Sequence, residues 1–302
     1  MAKLTILGNS AALPAKNRKL SAHLLEIDGH SLLFDCGEGT QFQLINNKKS
    51  LLKISKIFIS HLHGDHFYGL AGLLSTMSML NREKPIDIYG PETLKGFLNA
   101  VNDASKSEPS FVQNFHIVNT DSKTIIYENK EYEIYAFPLL HSIETYGYLF
   151  QQKPFKLNIK KSFVQNNEIP IEWFKRIKNG EDYIDKLGKV FLNKEITEQL
   201  RTPSSYAYCT DTAYLPNIVD YIDAVSLLYH EATFLNSEKE DAIAKKHSTA
   251  EDAANIAKLA NVNKLIIGHF SARYSDLNDF LKESIPIFSN TILATEGLEI
   301  EF

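Results

Sequence analysis

Short apolar runs separated by glycine open the chain: Leu4–Leu7, His23–Ile27, Leu32–Phe34 and Ile57–Ile59, with Gly8, Gly29 and Gly37 between several of them. Runs of this length bounded by turn residues predict strands. The spacing then changes to a helical one over residues 67–80, and again over 92–104 after the Gly90-Pro91 stop-and-start signal. Strands are predicted next at Ile125–Tyr127 and Tyr132–Phe137. The second half repeats the style, with strands near Tyr206–Tyr208, Val225–Tyr229, Leu265–Ile267 and Ile292–Ala294. Its clearest helix is predicted over 249–260, opened by Ser248 and Glu251 as an S-x-x-E capping box. Mixed strands and helices in two similar halves predict a layered α/β architecture with sheets inside and helices outside.

Residues from about 151 to 200 break this pattern with polar stretches such as Asn166-Asn167 and Lys178-Asn179-Gly180. They are expected to form an arm inserted in the second half of one domain that otherwise spans 1–302, without a core of its own.

Composition narrows the class. Of 302 residues, 44% are hydrophobic and 23% charged, which supplies a buried core and excludes disorder, collagen and coiled coil. Cys36 and Cys209, the only cysteines, are too few for a disulfide framework, so a reducing, cytoplasmic location is expected. No apolar leader precedes the first strand, and the 67–80 run is interrupted by Ser75, Thr76 and Ser78, so neither a signal peptide nor a membrane span is expected. The net charge of −5 argues against coating nucleic acid or an anionic membrane without specificity. The charge is uneven, however: residues 1–60 carry +4, residues 151–200 carry +3, and the remainder carries −12. The clusters Lys16/Arg18/Lys19, Lys48/Lys49/Lys53 and Lys153/Lys156/Lys160/Lys161 are therefore candidate phosphate contacts.

The chemistry concentrates after the strand at 57–59. There, His61, His63, Asp65 and His66 stand within six residues as H-x-H-x-D-H, on a loop that a strand can hold rigidly. Side chains alternate along an extended loop, so His61 and His63 can share one metal while Asp65 and His66 face a second. Four residues cannot fill two coordination shells. His141, Asp211 and His269 each follow a strand in the same way, and a carboxylate such as Asp211 can bridge two cations. Taken singly, each is as readily a hydrogen-bonded structural residue; taken together they complete two sites.

These segments, with L-F-D-C-G-E-G-T-Q at 33–41, C-T-D-T at 209–212, H-E-A-T-F at 230–234, H-S-T at 247–249 and H-F-S-A-R-Y at 269–274, resemble the metallo-β-lactamase superfamily and, within it, the ribonuclease Z family of tRNA 3′-processing endonucleases. The resemblance implies an αββα sandwich with metals at one edge. It implies that His61, His63 and His141 bind one zinc ion, that Asp65, His66 and His269 bind another, and that Asp211 bridges them; manganese or iron(II) would suit the same donors. Asp65 would accept the proton of the attacking water. His247 would protonate the leaving 3′-oxygen, with Glu231 keeping it charged. Asp35 is expected to orient a ligand histidine rather than to be a ligand. Arg273 is close enough in sequence to His269 to reach a phosphate, or is simply a surface arginine. His23, His30, His116 and His230 are expected to be structural.

The family pattern further implies precursor tRNA as substrate and a homodimer in which one subunit's arm clamps tRNA for the other's site. The chain departs from that pattern at Thr210, Ala71 and Glu144, and it lacks a glycine-proline-rich arm motif. The rival readings are a hydrolase of small phosphodiesters on the same fold and an RNA-binding relative without turnover.

Overall fold

A computed structural model describes residues 2–15 and 18–302. Two seven-stranded sheets form the frame. The first runs, in spatial order, Glu299–Glu301, Lys3–Gly8, Ala22–Ile27, His30–Phe34, Ile54–Phe58, Ile86–Gly90 and Gln113–Ile117. The second runs Thr291–Leu293, Leu265–Gly268, Leu227–Glu231, Ser205–Cys209, Tyr146–Gln152, Tyr132–Pro138 and Thr124–Glu128. Strand alternation sorts the side chains to the two faces. Inward-facing Phe34 and Phe58 meet Tyr148 and Tyr206 across the interior, with ring centroids 5.4 Å apart for Phe58–Tyr148 and 5.5 Å for Phe34–Tyr206. Their neighbours point outward: Leu33 and Ile57 pack with Leu70, Leu73 and Met77 of the helix Gly69–Met79. Ala207, Leu228 and Ile267 pack with Ala253, Ala254 and Ala257 of the helix Ala250–Leu259. The result is an αββα sandwich.

Two local departures from the sequence expectation have clear causes. The helix expected over 67–80 is Gly69–Met79, and a separate short helix, Gly64–Phe67, takes up Asp65 and His66, which the sequence places on an extended loop. The Gly69 amide donates to the Cys36 carbonyl (2.9 Å) and the Cys36 amide to the His66 carbonyl (2.7 Å), which ties the turn after Phe34 to the histidine loop. A Cβ on Gly37 would collide with the Asp65 carbonyl, so glycine is required there by close approach of the two loops.

The cap also shifts by one residue. Thr249, not Ser248, caps the helix Ala250–Leu259: its hydroxyl accepts from the Asp252 amide (3.1 Å), and the Asp252 carboxylate accepts from the Thr249 amide (3.1 Å). Ser248 is instead turned to donate to the Thr212 carbonyl at 2.7 Å. Thr249→Ala is expected to cost about 1 kcal/mol of stability in denaturant unfolding, and Thr249→Ser to recover most of it.

Residues 130–132 and 151–203 form a second compact unit. It contains the helices Lys161–Asn166, Ile171–Lys178 and Asn193–Ile196 and two short strand pairs. Contrary to the expectation of a coreless arm, it has a small apolar cluster, with Ile177, Tyr183 and Ile196 packed by Phe163, Trp173 and Phe191. The aromatic and aliphatic residues that build it are scattered singly among charges, so no periodic run announces them.

Candidate active site

The strand ends deliver the expected side chains to one place. His61, His63 and His141 gather with Asp211, and Asp65 and His66 gather with His269. Asp35 and His269 leave their strands with φ of +55° and +58°, a left-handed turn that non-glycine residues rarely take and that marks constrained positions.

Asp211 divides its two oxygens between the groups. Oδ2 lies 3.6 Å from both His61 Nε2 and His141 Nε2. Oδ1 lies 3.1 Å from His269 Nε2 and 3.4 Å from His66 Nε2. Within the first group, His63 Nδ1 is 3.1 Å from His61 Nε2 and 3.2 Å from His141 Nε2. In the second, Asp65 Oδ2 is 3.4 Å from His66 Nε2 and 3.5 Å from His269 Nε2. Donor atoms about 3.3 Å apart are the edges of a tetrahedron whose metal–ligand bonds are about 2.0–2.1 Å, so both sets fit a divalent cation.

In four of the five donor histidines the outer nitrogen is engaged, which aims the inner one. His66 Nδ1 bonds Asp35 Oδ2 (2.7 Å), His141 Nδ1 the Lys246 carbonyl (3.0 Å), His61 Nδ1 the Ser60 hydroxyl (3.0 Å) and His269 Nδ1 the Thr233 hydroxyl (3.0 Å). Donation from Nδ1 leaves the Nε2 lone pair free toward the centre. Asp35 joins neither donor group: fully buried, it also accepts from the Ser60 amide (2.7 Å), the Ser60 hydroxyl (2.8 Å) and the Tyr208 hydroxyl (2.8 Å).

Charge follows the same plan. Burial opposes ionisation of Asp65 and Asp211, but the surrounding imidazoles outweigh it and hold both well below the usual carboxylate range. Burial pushes His61 and His141 down, whereas at His66 the carboxylates of Asp211, Asp65 and Asp35 outweigh burial and push it well up. Thr210, in the place where the family pattern has glycine, donates its hydroxyl to Asp211 Oδ1 at 3.1 Å.

Beside the donors stands a second pair. His247 Nδ1 donates to Glu231 Oε1 at 2.7 Å, and the His247 ring lies 4.9 Å from that of His141 and 5.5 Å from that of His269. Burial disfavours a charged His247, yet Glu231 more than compensates and pushes its pKa up to about 9. Glu231 is itself held low despite complete burial, by His247. His247 also falls in a third grouping with Asp211 and His269, so its place beside the donors calls for a direct test.

His63, Asp65, His141, Asp211, His247 and His269 open onto a cavity of about 910 Å³, with Leu13, Tyr68 and Phe234 as apolar wall and Lys245 and Arg273 as cations. Arg273 lies over the Phe234 ring at 5.0 Å and bonds Asp241 at 3.2 Å. Of the other basic candidates, Lys49 is buried between Glu26 (2.7 Å) and Glu299 (2.6 Å) and Arg18 donates to the carbonyls of Ser271 and Tyr274, so both are structural rather than free for phosphate. Lys16 lies outside the described residues. Sequence reasoning passed over Ser60, Thr233 and the Ala12 amide, which donates to Asp65 Oδ2 at 2.7 Å. Small hydroxyl residues and backbone groups carry no chemical signature, although Thr233 lies in the same H-E-A-T-F run as Glu231.

This layered fold and its paired His/Asp donor groups define a metallo-β-lactamase-fold protein with a metal-binding type of site. A solved metallo-β-lactamase fold protein of Bacillus subtilis, YhfI, superposes with a TM-score of 0.69, at 18% identity and with all of both chains covered. A profile of the family described as Anti-Pycsar protein Apyc1 matches residues 2–165, which include the H-x-H-x-D-H loop and His141 but not Asp211, Glu231, His247 or His269. Ribonuclease Z of Phocaeicola vulgatus is 41% identical over 98% of this chain and 96% of its own. The structure of human tRNase Z, short form, superposes with a TM-score of 0.74 at 27% identity, covering 99% and 98% of the two chains. The chain belongs to the ribonuclease Z family.

Proposed function

We propose that this chain removes the 3′ trailer from precursor tRNA, leaving a 3′-hydroxyl on the tRNA and a 5′-phosphate on the trailer. The observation that carries the proposal is the division of Asp211 between two donor groups with the Glu231–His247 pair directly alongside. His61, His63, His141 and Asp211 Oδ2 would hold one cation, and Asp65, His66, His269 and Asp211 Oδ1 the other. We assign zinc to both, with manganese and iron(II) acceptable to the same nitrogen and oxygen donors. Bound there, two divalent cations supply an acidified water and charge stabilisation of the phosphoryl oxygens.

The protein's own groups manage the protons. Asp65, oriented by the Ala12 amide, takes the proton of the attacking water. His247, whose Nδ1 is committed to Glu231, delivers the proton on Nε2 to the departing 3′-oxygen. Arg273 and Lys245 at the cavity wall receive a neighbouring phosphate of the RNA. Arg273→Ala is expected to raise KM about five-fold, the roughly 1 kcal/mol of an exposed charge pair, with kcat little changed. Asp241→Asn, which removes the carboxylate competing with that phosphate, is expected to lower KM.

The ten basic residues of 151–200 are the candidate tRNA-gripping surface, and we place the enzyme in the cytoplasm as a homodimer, by analogy with the family pattern. Among the described residues, no helix is long and apolar enough to cross a membrane. Competition separates tRNA processing from hydrolysis of small phosphodiesters. Folded tRNA is expected to inhibit turnover of bis(p-nitrophenyl) phosphate, whereas an enzyme of small phosphodiesters would be insensitive to it.

A further inference from the structure

One hydroxyl touches both halves of the site. Thr233 Oγ1 lies 2.7 Å from Glu231 Oε2, 3.0 Å from His269 Nδ1 and 3.3 Å from His247 Nδ1, and the Thr233 amide also donates to Glu231 Oε2 at 3.0 Å. The proton inventory there has one consistent solution. An ionised carboxylate only accepts, so the single hydroxyl proton of Thr233 goes to Oε2. His247 gives its Nδ1 proton to Oε1 at 2.7 Å, the shorter of its two contacts. The lone pair of the Thr233 oxygen is left for the Nδ1–H of His269. His269 Nε2 is therefore bare, and it faces Asp211 Oδ1 at 3.1 Å and Asp65 Oδ2 at 3.5 Å.

We propose that Thr233 is a positioning residue that sets the tautomer of His269 and the orientation of Glu231 through the same oxygen, so that the second donor group and the proton-delivering pair are built as one unit. The outer partners of the other histidines lack this property: Ser60 and Asp35 serve His61 and His66, the Lys246 carbonyl serves His141, and none of them bonds Glu231. Thr233 is 3% exposed, so water has poor access to replace the lost hydroxyl. Valine has the same shape with neither donor nor acceptor. In Thr233→Val the Nδ1–H of His269 loses its acceptor, and Glu231 loses one of the four contacts that hold it, the others coming from the amides of Thr212 and Thr233 and from His247. Thr233→Ser keeps both roles of the hydroxyl.

This inference rests on the two-metal reading above, and the test separates their failures. Zinc affinity of the full chain is measured by competition with a chromophoric chelator, alongside kcat and thermal unfolding of the metal-free protein. Thr233→Val is expected to hold one of two zinc ions about 10- to 100-fold more weakly, to leave the other unchanged, and to lose kcat in parallel. Thr233→Ser is expected to restore both properties. If Thr233→Val does not fold, Thr233→Ala is compared with Thr233→Ser in the same way. A wild-type chain that binds no zinc overturns the metal reading. A wild-type chain that binds two while Thr233→Val or Thr233→Ala holds both as tightly overturns the role of Thr233, as does a serine variant that behaves like valine.

Discussion

Asp211→Asn is expected to abolish turnover and to strip metal from both donor groups at once. Each carboxylate oxygen faces a different set of imidazoles, at 3.6 Å on one side and 3.1–3.4 Å on the other. The amide keeps the size but offers a neutral oxygen to one group and a nitrogen donor to the other. Losing the charge stabilisation that two cations give a phosphoryl transfer costs several kcal/mol, about 10³-fold in rate or more. Metal content by plasma mass spectrometry should fall together with activity. A variant that loses activity yet keeps both ions would show that Asp211 acts on the substrate instead.

His247→Ala separates proton delivery from metal binding. The variant is expected to keep its metal content and KM while kcat falls about 10²- to 10⁴-fold, the range for removal of a general acid. Glu231→Gln should lower kcat in the same direction, because the carboxylate that pushes His247 up to about 9 is gone. The His247 ring sits within 5.5 Å of the His269 ring, near enough for the alternative role of a ligand. Loss of a metal ion in His247→Ala would assign it that role and move the proton donor elsewhere.

Much of this site is legible in the sequence because its residues have unusual chemistry at strand ends. A run of His61, His63, Asp65 and His66 after an apolar strand has few structural explanations, and His141, Asp211 and His269 repeat its context. The strands that alternate cleanly or run apolar, such as Ala22–Ile27 and Ser205–Cys209, are likewise readable. What escaped depends on contacts made only in three dimensions. The edge strand Gln113–Ile117 is largely exposed and polar, with no period to detect. The break before Gly69 exists because its amide is drawn to the Cys36 carbonyl, and Thr249 takes the cap because Ser248 is turned to the Thr212 carbonyl. Lys49 reads as a surface cation until Glu26 and Glu299 close around it. The net charge of −5 also misleads when read for the whole chain, because it conceals the basic 151–200 segment.

The most direct test is incubation of the purified chain with a 3′-extended precursor tRNA and zinc or manganese, with both product ends mapped. The expected result is one cut after the discriminator base, a 3′-hydroxyl on the tRNA, a 5′-phosphate on the trailer and no product after chelation. An intact precursor under both metals, or a 3′-phosphate on the tRNA, would contradict it.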